Sequence, residues 1–371
     1  MADKKPVILY GASGFSGRLV AEFLREYNVP FVAAGRNRSK IEEVMKHVPG
    51  IETADYEIVE VSNAVPELEK LFAGAKVVCN TVGPFLYNGP RVIEACLNAG
   101  SHYIDISGEQ AWLRDVEEKW SEKFARKGLL AAPATAYMSA TSDIAAKMCM
   151  EASPGIDTLE ILSMFKGIPT FGSTQTIFAV IQTEAFYLEQ NRYKPWPRAQ
   201  GHEVIVPTSV ETQLALAWGG FPHPVWYENH SQIANVRSMG GILDRQLMEN
   251  VLATERHYEK EIRPLPKEER ERKLSEMANS VQGGTPPREN AREQRTIDVV
   301  NGRGTISFAS CVMVGTCCYR QTGLLQAFAA HTLIHAAPRK VGFASPTAAF
   351  GHRQLFSALE SHGLVTARIS S

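Results

Sequence analysis

Val7-Ile8-Leu9-Tyr10 runs directly into Gly11-Ala12-Ser13-Gly14-Phe15-Ser16-Gly17, and the reading of the whole chain starts from this stretch. Four apolar residues make a short buried strand, and the G-x-x-G-x-x-G run behind it opens a helix from about Ser16 to Tyr27. Glycine is needed there for a tight turn, for close approach of the backbone to a pyrophosphate, and for packing of the helix on the strand. The N–H groups at the start of that helix have no intrahelical partner and, with the helix dipole, attract phosphate. Gly11, Ser13, Gly14, Phe15, Ser16 and Gly17 are therefore candidate cofactor-binding residues. A purely structural βα turn is the alternative, but a strand before the glycines and a helix after them favour a dinucleotide.

The second strand, Phe31-Val32-Ala33-Ala34, leads to Gly35-Arg36-Asn37-Arg38. A carboxylate at this point would bind the ribose 2′-hydroxyl of NAD, and none is present. A guanidinium can stack on adenine and hold a 2′-phosphate through charge-assisted bonds. Arg36 is the main determinant of an NADP(H) preference, with Asn37 or Arg38 as a second contact; a solvated basic loop is the alternative. The fourth strand, Val77 to Asn80, continues into Thr81-Val82-Gly83-Pro84-Phe85. Ligands of open parallel sheets sit outside the carboxyl ends of the strands, near the switch point. Asn80, Thr81, Val82, Gly83 and Pro84 are thus expected against the nicotinamide ribose and ring, unless Gly83-Pro84 is an ordinary turn.

Working outward, strand and helix alternate to about residue 150. Ser39 caps a helix through Ile41, Val44 and Met45. A strand near Tyr56 to Val61 and a helix from Pro66 to Phe72 follow, then a helix from Arg91 to Ala99. A strand from His102 to Ile106, a helix from Ala111 to Arg126 and a strand from Leu129 to Ala132 close the series. Apolar strands separated by helices predict a parallel sheet covered on both faces. The fold class is α/β, a Rossmann-type doubly wound sheet over residues 1–150. Residues 151–371 are expected to form a second α+β domain for substrate binding and dimerisation, its C-terminal helices packing back on the first. Two domains suit 371 residues, more than one core ordinarily supports.

The second half predicts a strand from Leu159 to Phe165, a helix from Thr174 to Leu188, and strands at Glu203 to Val206 and Pro224 to Tyr227. Thr254 to Ser280, dense in Glu, Lys and Arg, reads as exposed helices broken at Pro264 and Pro266. Asn301-Gly302-Arg303-Gly304 marks a hairpin between Thr296–Val300 and Thr305–Val314. Helices from Gly323 to His335 and from Arg353 to His362 end the chain. With 39 basic against 40 acidic residues the chain has no field to attract nucleic acid or an anionic membrane. No apolar run reaches the ~20 residues that span a bilayer. Met1 to Pro6 leads into a strand without a signal-peptide core, and a cytoplasmic location is expected. The cysteines lie in apolar segments and read as buried reduced thiols. The ten histidines are scattered, so no metal is expected.

Gly11 to Gly17, Ala34-Gly35-Arg36, Asn80 to Phe85 and His102-Tyr103-Ile104-Asp105-Ile106-Ser107-Gly108-Glu109 together resemble the saccharopine dehydrogenase-like superfamily, in its NADP-binding reductase branch. Ser345-Pro346-Thr347-Ala348-Ala349-Phe350-Gly351 is similar to a terminal motif of its trans-acting enoyl reductase-like members. The resemblance covers the first domain and about the last 60 residues, and not the stretch from about 155 to 295. Members carry a Gly-Phe-Asp-Ser-type turn after the last strand, whereas this chain has Thr135-Ala136-Tyr137-Met138-Ser139-Ala140, without the aspartate. The resemblance implies hydride transfer from NADPH, and that departure points away from an amino-acid substrate.

Reduction of an enone needs placement of the nicotinamide, exclusion of water and a proton donor. Tyr87 and Tyr137, both at the carboxyl edge of the sheet, are the candidate catalytic residues; a wall of the cleft is the alternative for each. Asp105 reads as a structural hydrogen-bonding residue, and Glu109 could face the cleft. Three functions fit. One is an NADPH-dependent reductase of a conjugated C=C or carbonyl in a hydrophobic small molecule, acting as a homodimer. The others are an opine- or saccharopine-type amino-acid dehydrogenase, and a non-catalytic nucleotide sensor or scaffold.

Overall fold

The computed structural model describes residues 4–207, 209–281 and 293–371, so the reading of Met1 to Asp3 lies outside the described residues. In chain order the first elements are β1 (Val7–Tyr10), α1 (Phe15–Glu26), β2 (Phe31–Gly35), α2 (Arg38–Met45), β3 (Tyr56–Glu60) and α3 (Val65–Phe72). Next come β4 (Val77–Asn80), α4 (Phe85–Ala99), β5 (His102–Asp105), α5 (Gln110–Arg126), β6 (Leu130–Ala132), α6 (Ser139–Ala152), β7 (Thr158–Lys166) and α7 (Phe171–Val180). The chain continues through β8 (Phe186–Glu189), β9 (Arg192–Pro195), β10 (His202–Val204), β11 (Gln213–Ala215), α8 (His223–Tyr227), β12 (Asn235–Ile242), α9 (Arg245–His257) and α10 (Lys267–Ser280). It ends with β13 (Arg295–Arg303), β14 (Phe308–Gly315), α11 (Cys318–His335), β15 (Gly342–Phe343), α12 (Pro346–Phe350), α13 (His352–Ser361) and β16 (Val365–Ser370).

Two compact units emerge. Of the described residues, the first comprises those within 4–108, 112–140 and 319–364, and the second those within 109–111, 141–207, 209–281, 293–318 and 365–371. The first holds a sheet of order β15-β6-β5-β4-β1-β2-β3 in which every pairing is parallel. Every residue of β1, β2 and β4 is buried, as a strand covered on both faces requires. The expected Rossmann-type fold is thus present. The sequence reading ended the sheet at β6, but two residues of β15 extend it, Gly342 pairing with Leu130 and Phe343 with Ala131. A two-residue strand carries no periodicity to detect. The motif that follows it is a capped turn: the Ser345 hydroxyl accepts from Ala348 N–H, and Pro346 begins α12.

The second unit holds a mixed sheet of order β16-β14-β13-β7-β12-β8-β9 and a small β10-β11 ribbon, the expected α+β pattern. Several local expectations were wrong. Pro224 to Tyr227 is the short helix α8, because Pro222 and Pro224 supply a helical entry that outweighs the β-forming Val-Trp-Tyr. The helix expected to reach Leu188 stops at Val180, and Leu188 instead pairs with Val236 of β12. Asn301, Gly302 and Arg303 belong to the β13 ladder, and the turn lies between Gly304 and Ser307, where Gly304 N–H donates to Ser307 O at 2.8 Å. A side chain on Gly302 would meet Ile156 at 2.6 Å, so this glycine serves close packing rather than the turn. The charged stretch from 254 to 280 is helical but not wholly exposed: Tyr258, Ile262, Leu274 and Ala278 are buried with Phe178 and Ile181. After the last helix, β16 pairs with β14.

Asp298 of β13 lies opposite Ser163 of β7, is 1% exposed, and has no hydrogen bond at Oδ1 among the described residues. Burial pushes its carboxyl up to about 7, and the hydroxyls of Ser163 and Thr141 offset only part of that. Burial likewise raises Glu255 to about 7. A carboxyl whose folded value exceeds its unfolded value stabilises the fold at low pH, and this contribution is lost as pH rises toward 7. Between pH ~5.5 and ~8 the Asp298 contribution falls by about 2 kcal/mol at ~1.4 kcal/mol per unit. Denaturant unfolding at the two pH values should show at least this drop, Glu255 adding its own, and Asp298→Asn should remove the Asp298 part while raising stability at the higher pH. An unchanged pH slope in Asp298→Asn would contradict the assignment.

Candidate cofactor site

The site lies in the first unit at the carboxyl ends of β1, β2 and β4, where the order switches direction on either side of β1. Its three glycines do different things. Gly11 has φ +97°, and a Cβ there would lie 2.8 Å from Val82 Cγ2 and closer still to the Thr81 hydroxyl. Thr81 closes over the turn, its hydroxyl donating to Tyr10 O at 3.0 Å and Gly11 O at 3.1 Å. Gly17 packs on the turn itself, and a Cβ there would strike Gly11 O and lie 3.0 Å from Ala12 Cα. Gly14 is exposed, with φ −82° and ψ 163°, and a Cβ there would meet only Gly11 O at 3.3 Å. Gly11 and Gly17 make the turn possible, and Gly14 keeps its outer surface open.

Gly11 and Ala12 donate their N–H groups to Ala34 O, and Gly14 donates to Gly11 O at 2.9 Å. The first helical bond of α1 is Arg18 N–H to Gly14 O, which leaves the amides of Phe15, Ser16 and Gly17 at the helix start. The Ser13 and Ser16 hydroxyls make no hydrogen bond among the described residues. The Phe15 ring packs edge-on against Tyr319, centroids 5.2 Å apart, and the Arg18 guanidinium lies over it at 5.1 Å. Phe15 is therefore a packing residue of the turn.

At the end of β2 the basic run divides. The Asn37 side chain accepts from Lys40 N–H at 2.8 Å and caps α2, the role the sequence reading gave to Ser39. Arg38 is tied to Glu42 at 2.9 Å and to Ile58 O at 2.9 Å. Arg36 is exposed and makes no hydrogen bond or ion pair among the described residues. Of the two arginines it alone has its guanidinium uncommitted.

The 80–84 loop is held from beneath. Asn80 is fully buried; its amide donates to the Tyr103 hydroxyl at 3.1 Å and accepts from Val82 N–H at 3.0 Å. Asn80 therefore shapes the loop, and Thr81, Val82, Gly83 and Pro84 form its partly exposed surface. Asn88 of α4 donates to the carbonyls of Gly83 and Pro84. Helix α4 starts at Phe85, earlier than expected, with Pro90 inside it. Gly89 next to Pro90 leaves room for the Trp112 ring, to which a Cβ would come within 2.5 Å.

Tyr87 stands on the first turn of α4 and is 54% exposed. Tyr137 follows β6, is partly exposed, and donates its N–H to the Thr322 hydroxyl at 3.2 Å. β5 lies between β4 and β6, so the segments that lead from β4 to Tyr87 and from β6 to Tyr137 start ~10 Å apart at ordinary strand spacing. Glu109 is 2% exposed. Asp105 is fully buried and accepts from Tyr103, Ser107, Trp112 and Ala134, the structural role expected of it. The part played by Tyr103 escaped the sequence reading, since a tyrosine inside a buried strand reads as core. Five of the six cysteines are buried thiols. Among the described residues no group of three or more His, Cys, Asp or Glu could hold a metal ion. The histidines are not all scattered: His331 and His335, four residues apart on α11, have ring centroids 4.6 Å apart.

The families that the chain matches divide it in sequence near residue 135, and the second match includes residues 319–364 of the first unit. Residues 7–131 match the saccharopine dehydrogenase NADP binding domain, so NADP(H) is the cofactor of the first unit. A lipid droplet localized protein of Caenorhabditis elegans is 31% identical over 146 residues, covering 37% of this chain and 34% of that protein. A saccharopine dehydrogenase-like oxidoreductase of Homo sapiens is 33% identical over 153 residues, covering 37% and 35%. A Mycobacterium tuberculosis protein, named provisionally as a trans-acting enoyl reductase, is 28% identical over 186 residues, covering 48% and 44%. The matched stretch thus spans less than half the length of each of these curated relatives. Among solved structures, apo saccharopine dehydrogenase (L-Glu forming) from Saccharomyces cerevisiae superposes with a TM-score of 0.61 at 10% identity, covering 99% of this chain and 100% of that one. That likeness is one of fold. Among the described residues no helix is long and apolar enough to cross a membrane. Residues 140–371, more than half of the chain, match a family of unknown function (DUF5938), and the protein belongs to that family, with a saccharopine dehydrogenase NADP binding domain in front.

Proposed function

We propose that the protein is an NADPH-dependent reductase that transfers hydride to a conjugated C=C or carbonyl of a hydrophobic small molecule. The first unit holds NADPH on Gly14, Ser13, Ser16 and Arg36, and the 80–84 loop faces the nicotinamide. The second unit supplies the substrate surface. The observation that carries the reading is the open turn at Gly14 with the uncommitted Arg36 beside it, within a matched NADP-binding domain. Six arginines of the second unit, Arg198, Arg237, Arg245, Arg263, Arg272 and Arg303, each hold a carboxylate, whereas Arg192, Arg256, Arg270, Arg295 and Arg368 have no ion pair among the described residues. Desolvating a multiply charged amino acid costs several kcal/mol per ion, a penalty that an apolar enone does not carry. The relative named as an enoyl reductase points the same way. A homodimer and a cytoplasmic location belong to the same proposal.

The test follows NADPH consumption with conjugated hydrophobic enones and thioesters, against lysine plus 2-oxoglutarate. Turnover is expected with the first set and absent with the second, and the reverse would overturn the substrate class. Tyr137→Phe or Tyr87→Phe should lower kcat about 10²-fold if that hydroxyl delivers the proton. Full activity in both variants would remove the tyrosines from the proton path.

A further inference from the structure

The carboxylate of Asp105 is fully buried at the end of β5, and every group that donates to it is neutral. On Oδ2 these are the Tyr103 hydroxyl at 2.7 Å and the Trp112 indole N–H at 2.8 Å. On Oδ1 they are the Ser107 N–H at 2.9 Å, the Ser107 hydroxyl at 2.7 Å and the Ala134 N–H at 2.8 Å. An ionised carboxylate offers about four lone-pair sites, so five donors leave it no capacity for substrate. Its influence runs outward instead. Because the Tyr103 hydroxyl gives its proton to Asp105, its lone pairs face Asn80 and accept from the Asn80 amide at 3.1 Å. That contact fixes which end of the amide points at Val82, so that Asn80 Oδ1 accepts the Val82 N–H at 3.0 Å. A charge-anchored chain of this kind strengthens each successive bond.

The same aspartate reaches the loop behind β6. Ala134 N–H bonds its side chain, and Thr135 N–H donates to its carbonyl at 2.9 Å. The Gln326 amide of α11 then donates to Asp105 O at 2.8 Å and Thr135 O at 2.9 Å. Two loops at the carboxyl edge of the sheet, 80–84 and the one leading to Tyr137, are thus referred to one buried anion. Holding a strand end requires no such group, since a buried charge without a cation costs several kcal/mol and apolar packing would serve. What apolar packing would not supply is the direction of the Asn80 amide.

We propose that Asp105, acting through Tyr103 and Asn80, is the positioning residue that sets the 80–84 loop against the nicotinamide half of NADPH. This rests on the reading of that loop as the nicotinamide contact. The test separates the two halves of the cofactor. Tyr103→Phe removes one oxygen and keeps the ring packed on Trp112, and Asp105→Asn replaces the anion. Binding of NADPH is followed by reduced-nicotinamide fluorescence, and binding of 2′,5′-ADP, which carries the adenine side alone, by calorimetry. In Tyr103→Phe, NADPH affinity should fall about tenfold and the bound nicotinamide emission should shift toward that of free NADPH, while 2′,5′-ADP stays within about twofold of wild type. Asp105→Asn should show the same split, more strongly if it folds. Equal losses for both ligands in Tyr103→Phe, or no loss of either, would overturn the proposal. A wild-type protein that binds neither ligand would instead remove the reading of the glycine turn on which it stands.

Discussion

Gly14→Val is expected to give a folded protein that no longer holds NADPH. The backbone at Gly14 is extended, with φ −82° and ψ 163°, which valine adopts without strain. A Cβ there meets one atom, Gly11 O at 3.3 Å, a tight contact that a shift of a few tenths of an ångström in that carbonyl relieves. On the outer side, the branched methyls would occupy the space where a pyrophosphate must lie against the amides of the first turn of α1. The phosphate would then lose contact with both the backbone donors and the positive end of the helix. Affinity should fall at least about a hundredfold, ~2.7 kcal/mol, while the melting temperature stays close to wild type. Gly17→Val is the control with the opposite signature, because its Cβ would strike the Gly11 carbonyl; it should destabilise the fold by overpacking. Titration of NADPH and thermal unfolding of both variants check the pair. Unchanged NADPH affinity in folded Gly14→Val would make the turn purely structural.

Arg36→Ala should separate NADPH from NADH. Arg38 is spent on Glu42 and Ile58, the Asn37 side chain caps α2, and Arg36 stands exposed and unbonded after β2. A charge-assisted bond to the 2′-phosphate is worth about 1.5–3 kcal/mol, a loss of roughly 10- to 150-fold for NADPH. NADH has a hydroxyl in place of that phosphate and should change by no more than about twofold. Comparing the two dissociation constants in wild type and variant checks this. Equal losses for both cofactors, or a wild type that prefers NADH, would contradict it.

Much of this site could be read in the sequence because its signals are local. Gly11, Gly14 and Gly17 sit between a strand and a helix, and the absence of a carboxylate after β2 is visible at one position. What stayed hidden depends on residues far apart in the chain. Nothing in Asn80 and Tyr103, 23 residues apart, announces that their side chains meet and that the asparagine therefore shapes the loop. Asn37 was legible as polar, but its use as a cap is decided by where α2 begins. In the second unit, β8 and α8 went astray because short segments take their conformation from pairing and proline entry rather than from propensity. The hairpin was placed too early because Gly302 resembles a turn glycine and is a packing glycine. Glu109 could not be placed by its local sequence, and the fold buries it.

Hydride transfer from NADPH to a conjugated hydrophobic acceptor is the activity expected of this chain. Its most direct test supplies NADPH carrying deuterium at nicotinamide C4, on either face in turn, together with a conjugated enone or thioester, and reads the product by mass spectrometry. One face should deliver deuterium to the acceptor carbon, at the β-position for a conjugated C=C or at the carbonyl carbon for a ketone, one label for each NADPH consumed. Product without deuterium from either face, or NADPH that binds and is never oxidised by any such acceptor, would contradict it.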